Sequence, residues 1–213
     1  GAGYDSMETF YTAVLKAKEE MSGGEKPQED SEKLLSNKYE REALKNYTKN
    51  DQESSTGYYR INETLREGED PWTIRERGDS EMADSITSID NALGSLPGNV
   101  SRQAHFRGVS VDSELYDEFK QAYSQGSTFE DPAYGSFSSS KSVAKEFYNS
   151  GFDDRVLFVS KSPQLKRIAP FSDSPHEEES LLPRGTEQRV DWVKETSDPD
   201  GRRTLVIGVD YFD

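Results

Sequence analysis

The sequence contains no cysteine and only two histidines, His105 and His176. Without cysteine, disulfides, thiolate nucleophiles and cysteine-ligated zinc sites are excluded. Two histidines are too few for a metal centre built from several imidazole ligands. We therefore expect a protein that needs no metal.

Long apolar runs and excess positive charge are also missing. Hydrophobic residues make up 31% of the 213 positions, and no run approaches the roughly 20 residues that a membrane-spanning helix needs. Lysine and arginine number 26 against 41 acidic residues, a net charge of −15. Because nucleic-acid binding requires a basic surface, we expect neither a nucleic-acid nor a membrane partner. The length favours one domain, or one domain with an appendage.

The common nucleotide-binding loops are missing as well. No G-x-G-x-x-G follows a strand, and no P-loop is present, so a Rossmann or Walker-type site is not supported. The acidic stretch "TSDPDG" lacks the spacing of a calcium loop and is typical of a hairpin turn.

The first half of the chain has helical periodicity. Apolar residues recur at helical spacing in four stretches, and glycine or proline separates them. The stretch "SGGEKPQEDSE" after the first of these predicts a mobile loop. The predicted helices are "METFYTAVLKAKEEM", "KLLSNKYEREALKNYT", "GYYRINETLRE" and "GDSEMADSITSIDNALGSLPG".

The second half changes to short β-rich runs. Two helices are predicted between them, "DSELYDEFKQAYSQ" and "KSVAKEFYNS", with Asp112 and Ser140 as N-caps. Helices followed by strands indicate an α+β domain with a mainly antiparallel double sheet. The predicted strands are "QAHFRGVSV", "GSFSSS", "RVLFVSK", "ESLLP", "QRVDWVKE" and "RTLVIGVDYF".

Arg107 lies in the middle of the apolar strand "QAHFRGVSV". Burying a guanidinium group is costly unless it meets an anion, and the neighbouring Gly108 permits close approach of a ligand to the backbone. The alternative is an edge-strand arginine that faces solvent.

Three hydroxyls follow one another in "GSFSSSKSVAKEF", at the end of a predicted strand. Strand alternation places Ser138 and Ser140 on one side. The alternative is an ordinary helix N-cap at Ser140.

Three glutamates precede the apolar run in "PHEEESLLPRGT". In an extended backbone Glu177 and Glu179 share one face and Glu178 points away. Two carboxylates beside a buried strand suit acid–base chemistry or the binding of a cation. The alternative is a solvated acidic turn.

An arginine, a serine cluster and a Glu-x-Glu pair in this order resemble the Arg–Ser–Glu signature of mono-ADP-ribosyltransferases. The helical stretches "YEREALKNYTKN" and "GYYRINETLRE", the segment "ITSIDNALGSLPGNVSRQAHFRG" and the turn "EEESLLPRGT" resemble corresponding regions of bacterial ADP-ribosylating exoenzymes. The resemblance covers roughly residues 35–213. It implies an ADP-ribosyltransferase-like split β-sandwich with an N-terminal helical region. We predict a helix and mobile loop in residues 1–34 and a catalytic domain in 35–213.

The resemblance also implies that NAD binds as a substrate and assigns residues to it. Arg107 matches the arginine that grips the NAD phosphates, and Gly108 lies where the backbone can bond the nicotinamide amide. Ser138 matches the first serine of the family's Ser-Thr-Ser motif, which orders the nicotinamide ribose and the catalytic glutamate; here Ser139 replaces the threonine. Tyr58 and Asn62 match residues near the phosphates.

Phe152 is the candidate for stacking on the nicotinamide ring. It lies in the loop that follows the serine helix, where the resemblance places an aromatic residue of that kind.

The two outer glutamates receive different roles from the resemblance. Glu179 matches the glutamate that bonds the ribose and stabilises positive charge as the nicotinamide bond breaks. Glu177 occupies the position that is glutamate in relatives modifying arginine and glutamine in those modifying asparagine. One departure is Ser174, where many relatives have an aromatic residue about three positions before the pair.

The expected function is therefore mono-ADP-ribosylation of arginine in a target protein, with release of nicotinamide, by a monomeric toxin or effector. An immunity or activator protein is a further partner such an enzyme could have. Vertebrate surface enzymes of the family that the chain resembles carry disulfides, so the resemblance, together with the lack of cysteine, implies a bacterial or phage protein. Such a protein is expected to be secreted or injected to act in a target-cell cytosol, or phage-encoded and acting in the bacterial cytoplasm. The alternatives are an NAD glycohydrolase toxin and a transferase acting on a non-protein acceptor.

Overall fold

The computed structural model describes residues 31–140 and 154–211 of the protein. Asn37, Asp70, Asp79 and Asp112 each begin a helix by accepting backbone N–H bonds at its N-terminus, as N-cap residues do. The helices are α1 (Ser31–Leu34), α2 (Lys38–Tyr47), α3 (Tyr58–Arg66), α4 (Pro71–Glu76), α5 (Ser80–Ser95) and α6 (Ser113–Ala122).

The helix predictions are largely confirmed within the described residues, with two differences. The predicted "KLLSNKYEREALKNYT" helix is broken, because the side chain of Asn37 accepts the N–H groups of Tyr39 and Glu40 and starts α2 afresh. The prediction overlooked α4, which is six residues long and buries only Ile74. The predicted helices in 7–21 and 141–150 lie outside the described residues.

Eight strands form one hydrogen-bonded sheet in the order β2-β7-β8-β4-β1-β3-β6-β5. Neighbouring strands are antiparallel except β4 and β8, which are parallel. The prediction overlooked β2 and β5, which are short edge strands. The strands are β1 (His105–Val111), β2 (Thr128–Glu130), β3 (Gly135–Ser138), β4 (Asp154–Ser160), β5 (Lys166–Arg167), β6 (Glu179–Leu182), β7 (Glu187–Ser197) and β8 (Arg203–Tyr211).

The sheet is nearly divided between β1 and β3. These strands pair at a single register position, Phe106 with Ser138, whereas β1 and β4 pair along seven positions. The ladder therefore consists of a five-stranded part and a three-stranded part, and this explains the predicted double sheet and split sandwich.

Two apolar cores lie on either side of the three-stranded part. One contains residues of α2, α3 and α5 with Tyr134, Phe171 and Leu181. The other contains Phe137 and Leu182 with residues of β4, β7 and β8. The helices thus cover one face of β3 and β6, and the larger part of the sheet covers the other.

Candidate active site

A cleft of about 600 Å³ lies where β1 and β3 separate. It gathers seven of the eight sequence-predicted site residues from α3, β1, β3, β6 and the turn before β6. Phe152, predicted to stack on nicotinamide, lies outside the described residues. The seven are Tyr58, Asn62, Arg107, Gly108, Ser138, Glu177 and Glu179.

The turn that carries the glutamates differs from the prediction. Pro175–Glu177 forms a 3-10 turn, and Glu178 has a left-handed backbone with φ of 48°. The extended backbone expected for Glu177 to Glu179 is therefore wrong. The outer carboxylates nevertheless reach the same cleft, because the left-handed residue redirects the chain before β6 begins at Glu179.

Each of the three glutamate carbonyls is fixed by a donor from a neighbouring strand or its end. The Ser138 hydroxyl donates to the carbonyl of Glu177. The backbone N–H of Ser139 donates to Glu178 O at 3.3 Å, and that of Ile168 donates to Glu179 O at 3.0 Å. The turn is therefore held through its backbone, which leaves the side chains available for other contacts.

The carboxylate of Glu179 is held by Ser136, a residue that the sequence analysis did not select. The Ser136 hydroxyl donates to Glu179 Oε2 at 2.5 Å. Ser138, expected to order this glutamate, instead bonds the backbone of Glu177. Strand alternation places Ser136 and Ser138 on one side of β3, so the signal for Ser136 was present in the sequence.

Burial raises the pKa of Glu179, and the charge of Glu177 raises it further, while the Ser136 hydrogen bond lowers it. Desolvation disfavours the charged carboxylate, and a donor to that form favours it. A carboxylate held in such an environment interacts strongly with any positive charge that develops next to it.

Glu177 and Glu178 have opposite surroundings. Arg167 donates to Glu178 Oε2 at 3.3 Å and draws that side chain away from the cleft. Within the described part of the chain, the Glu177 carboxylate makes no hydrogen bond or ion pair. Glu177 is thus an exposed carboxylate at the cleft, free to accept a cationic ligand.

Arg107 lies on the cleft wall in β1, which pairs with β4 at this position and with β3 only at Phe106. Its side chain is half-buried, so it is not an arginine that simply faces solvent. Burial and the nearby charge of Arg66 lower its pKa, but a guanidinium group stays charged at neutral pH. Its guanidinium group has no ion-pair partner among the described residues. A partly buried cation without a partner favours an anionic ligand.

Arg66, on α3, is a second guanidinium group at the cleft that the sequence analysis did not select. It also forms a two-pronged pair with Asp131, with N–O distances of 3.3 and 3.0 Å. Both arginines also line an adjacent cavity of about 420 Å³, which contains Phe119, Tyr123 and Phe129. The two arginines therefore stand between a polar cleft and an aromatic cavity.

Asn62 and Tyr58 contact other protein groups at the cleft wall. The Asn62 amide nitrogen donates to the buried hydroxyl of Tyr47 at 3.0 Å, and its oxygen accepts the N–H of Tyr134. The Tyr58 hydroxyl donates to Asn50 at 3.2 Å. Asn62 thus ties α3 to the end of α2 and to the start of β3.

The architecture and the ordered site residues agree with the comparison of the whole sequence against protein families. The family model described as ADP-ribosyltransferase exoenzyme matches residues 21–212. The chain belongs to this family. Members use NAD as a substrate, in keeping with an Arg–Ser–Glu cleft. A comparison with curated proteins finds no match.

Solved ADP-ribosyltransferase structures share the fold. Vis of Vibrio splendidus in complex with agmatine is 22% identical, with a TM-score of 0.60 over 99% of this chain and 88% of that chain. The C3 exoenzyme of Clostridium limosum is 18% identical, with a TM-score of 0.61 over 95% of this chain and 95% of that one. HopU1 of Pseudomonas syringae pv. tomato is 20% identical, with a TM-score of 0.60 over 80% and 75%.

Neither a metal site nor a membrane span is found in the described ranges. Residues 31–140 and 154–211 contain no group of three or more histidine or acidic side chains that could hold a metal ion. No helix in these ranges is both long and apolar enough to cross a bilayer.

Proposed function

We propose that the protein transfers ADP-ribose from NAD to the guanidinium group of an arginine in a target protein. The observation that carries this proposal is the pair of outer glutamates. Glu179 is partly buried and held by Ser136, whereas Glu177 is exposed at the same cleft with no described partner. One carboxylate is thus fixed in place and the other is available to a cation.

The two arginines fit the diphosphate of NAD. Arg107 offers a two-pronged donor that no described carboxylate occupies, and Arg66 adds positive charge beside it. Guanidinium groups match the geometry of phosphate oxygens. With the diphosphate at these residues, the aromatic cavity around Tyr123 would receive the adenosine half and the glutamate cleft the nicotinamide half.

Gly108 fits close approach of the nicotinamide amide to the backbone. It lies on β1 two residues beyond Phe106, the single point at which β3 pairs with that strand. The backbone of β1 at Gly108 therefore borders the cleft, and a residue without a side chain leaves room for a ligand there.

Glu179 would stabilise the breaking bond. Its carboxylate, held by Ser136, would accept a hydrogen bond from the ribose and place negative charge beside the carbon that loses nicotinamide. Fixed charge at the point where opposite charge develops is an effective form of catalysis. Nicotinamide leaves with the electron pair of its glycosidic bond.

Glu177 would bind the acceptor and take its proton. A carboxylate can hold a guanidinium group through two parallel hydrogen bonds. A guanidinium nitrogen then forms the new bond to the ribose carbon, and the proton it loses passes to Glu177 as to a general base. Glutamine at this position could hold a ligand but could not take the proton.

The relatives favour a toxin that acts on a guanidino acceptor. The solved structure of Vis with agmatine, a small guanidino compound, shows such a ligand bound to an enzyme of this fold. Other structures of this fold are described as toxins. We propose secretion or injection into a target cell, with a host protein as acceptor.

The test is incubation with NAD labelled in its adenosine half, with and without agmatine, followed by mass spectrometry of the small molecules and of a cell lysate. We expect ADP-ribosyl-agmatine and labelled arginine in protein. Nicotinamide release with no transfer to either acceptor would identify an NAD glycohydrolase instead. Label recovered only in nucleic acid or another non-protein acceptor would also overturn the proposal.

A further inference from the structure

The segment that leads into the Glu177 turn is hydrogen-bonded to the helical layer through the hydroxyl of Thr48, in addition to the packing of Phe171 in the helical core. Thr48 directly follows α2, and its hydroxyl oxygen accepts the backbone N–H of Asp173 at 2.8 Å. The same hydroxyl donates to the carbonyl of Lys45, at 2.9 Å. Thr48 therefore joins the last turn of α2 to the segment that leads into the 3-10 turn.

The tie matters because the Glu177 side chain has no described partner of its own. Its position depends on the backbone of the turn. That backbone is held after Glu177 by Ser139 and Ile168, the residues that directly follow β3 and β5. Before Glu177, side-chain oxygens accept two successive N–H groups, Asp173 N–H bonding Thr48 and Ser174 N–H bonding Ser172.

Thr48 differs from Ser172 in what it connects. Ser172 lies in the same loop as the group it binds, so its bond does not connect the turn to another element. Thr48 is 125 residues away in sequence and sits on α2, whose buried residues Leu44 and Tyr47 pack in the helical core. Its bond therefore fixes the turn relative to the wall of the cleft.

We infer that Thr48 is a positioning residue that sets the place of the Glu177 carboxylate for the acceptor guanidinium group. The inference rests on the proposed function of Glu177. Thr48 itself lines the cleft, but its hydroxyl donates to Lys45 and accepts from Asp173, so its described hydrogen bonds act on the turn. Glu179 is held independently, by the Ser136 hydroxyl and by the pairing of β6 with β3.

We expect loss of the Thr48 hydroxyl to weaken ADP-ribose transfer to the acceptor without a matching loss of NAD hydrolysis. If the Asp173 N–H loses its acceptor, water can replace it, because Asp173 is exposed. The turn then samples more positions, and the carboxylate of Glu177 is less often in place for the acceptor. Cleavage of NAD by water, which depends on Glu179, should continue.

The experiment compares Thr48→Val, which keeps the shape and removes the hydroxyl, with Thr48→Ser, which keeps the hydroxyl. We expect Thr48→Val to raise the KM for agmatine about three- to tenfold, the scale of one lost hydrogen bond, and to leave nicotinamide release without acceptor within about twofold. Thr48→Ser should restore the agmatine KM. Thr87→Val is the matched control, because among the residues that the structure describes the Thr87 hydroxyl bonds only the carbonyl of Ala83, one turn back in α5.

Retained hydrolysis in Thr48→Val also shows that the variant is folded. An unchanged agmatine KM, or an equal loss of both reactions, would overturn the positioning role. These outcomes are distinct from failure of the proposed function, in which the unmodified protein itself would not modify agmatine. If Thr48→Val does not fold, Thr48→Ala is measured in the same way, and the same outcomes decide.

Discussion

The hydroxyl of Ser136 donates a 2.5 Å hydrogen bond to Oε2 of Glu179 across the β3–β6 pair. It holds the carboxylate of the partly buried member of the glutamate pair. Ser136 lies two residues before Ser138, on the same side of the strand. The bond therefore orients the Glu179 carboxylate and partly offsets the effect of burial, which raises the pKa of that group.

Removing this donor should alter the pH dependence of NAD cleavage. Burial raises the pKa of Glu179 and the Ser136 bond lowers it, so Ser136→Ala should raise the pKa further. Because the ionised carboxylate is the active form, we expect the acid limb of the pH profile of kcat/KM to move to higher pH. The rate on the plateau should fall about three- to tenfold, the scale of one hydrogen bond.

Two variants control this measurement. Ser136→Thr keeps a hydroxyl at the position and should return the acid limb towards its original pH. Ser139→Ala leaves the backbone bond to Glu178 intact and should not move the limb. A Ser136→Ala enzyme with an unaltered acid limb would show that Glu179 is not the group that titrates there.

Replacing Arg107 by lysine should weaken NAD binding. Lysine keeps the charge but loses the two-pronged geometry that suits phosphate. We expect Arg107→Lys to reduce the affinity by about 1–3 kcal/mol, the range of a hydrogen bond to a charged group, as measured by calorimetry. Arg75→Lys is the control, because Arg75 pairs with Asp84 on the helical surface, outside the cleft. Equal affinities in a folded Arg107→Lys protein would contradict the diphosphate role.

More of the site residues than of the contacts that position them could be predicted from the sequence. Helices α3 and α5 are visible in the spacing of their apolar residues, and Asp112 begins α6 as its side-chain type suggests. Arg107 was selected because a charged residue in an apolar strand is costly to bury unless it meets an anion. Such features are local, so residue type and spacing carry them.

Other features depend on partners that are distant in the sequence. The left-handed backbone of Glu178 is unusual for a residue with a side chain, and it is accompanied by bonds to Ser139 and Arg167. Tyr47 reaches the cleft wall because Asn62 bonds its hydroxyl. Strand β2 pairs with β7, and strand β5 pairs with β6. With three and two residues, these strands are too short to show the alternation of side chains that identifies a strand in a sequence. None of these features can be predicted from the residue types or the spacing within a short stretch of sequence.

The charge of Glu179 should cost stability, and its removal should show this. Because its pKa in the folded protein is raised, the folded state disfavours the ionised form relative to the unfolded chain, at pH values above both pKa values. We expect Glu179→Gln to raise the melting temperature at pH 7. The gain should shrink as the pH falls through the raised pKa towards the unfolded value, since the wild-type carboxyl is then neutral as well.

The matched control for this stability measurement is Glu177→Gln. It removes an exposed carboxylate that has no described partner and should change the melting temperature less. If Glu179→Gln lowers the melting temperature at pH 7, the ionised carboxylate stabilises the fold and this prediction is wrong.

Replacing each of the two glutamates by glutamine should have different effects on ADP-ribose transfer and on NAD hydrolysis. Glu179 lies at the start of β6, held by Ser136, and should serve the bond cleavage that transfer and hydrolysis share. Glu179→Gln should lower both reactions by a factor on the order of 10² or more, as expected for the loss of one electrostatic stabiliser. Glu177 lies in the 3-10 turn without a described partner and should serve only the acceptor.

Glu177→Gln should accordingly abolish arginine modification and leave slow NAD hydrolysis, because water needs no carboxylate to hold a guanidinium group. The measurement is nicotinamide release by both variants, with and without agmatine, alongside the yield of ADP-ribosyl-agmatine. Glu178→Gln is the internal control, since Arg167 holds that side chain away from the cleft; it should leave both reactions nearly unchanged. Normal arginine modification by Glu177→Gln, or a loss of hydrolysis as complete as in Glu179→Gln, would show that the roles are not divided between the two carboxylates in this way.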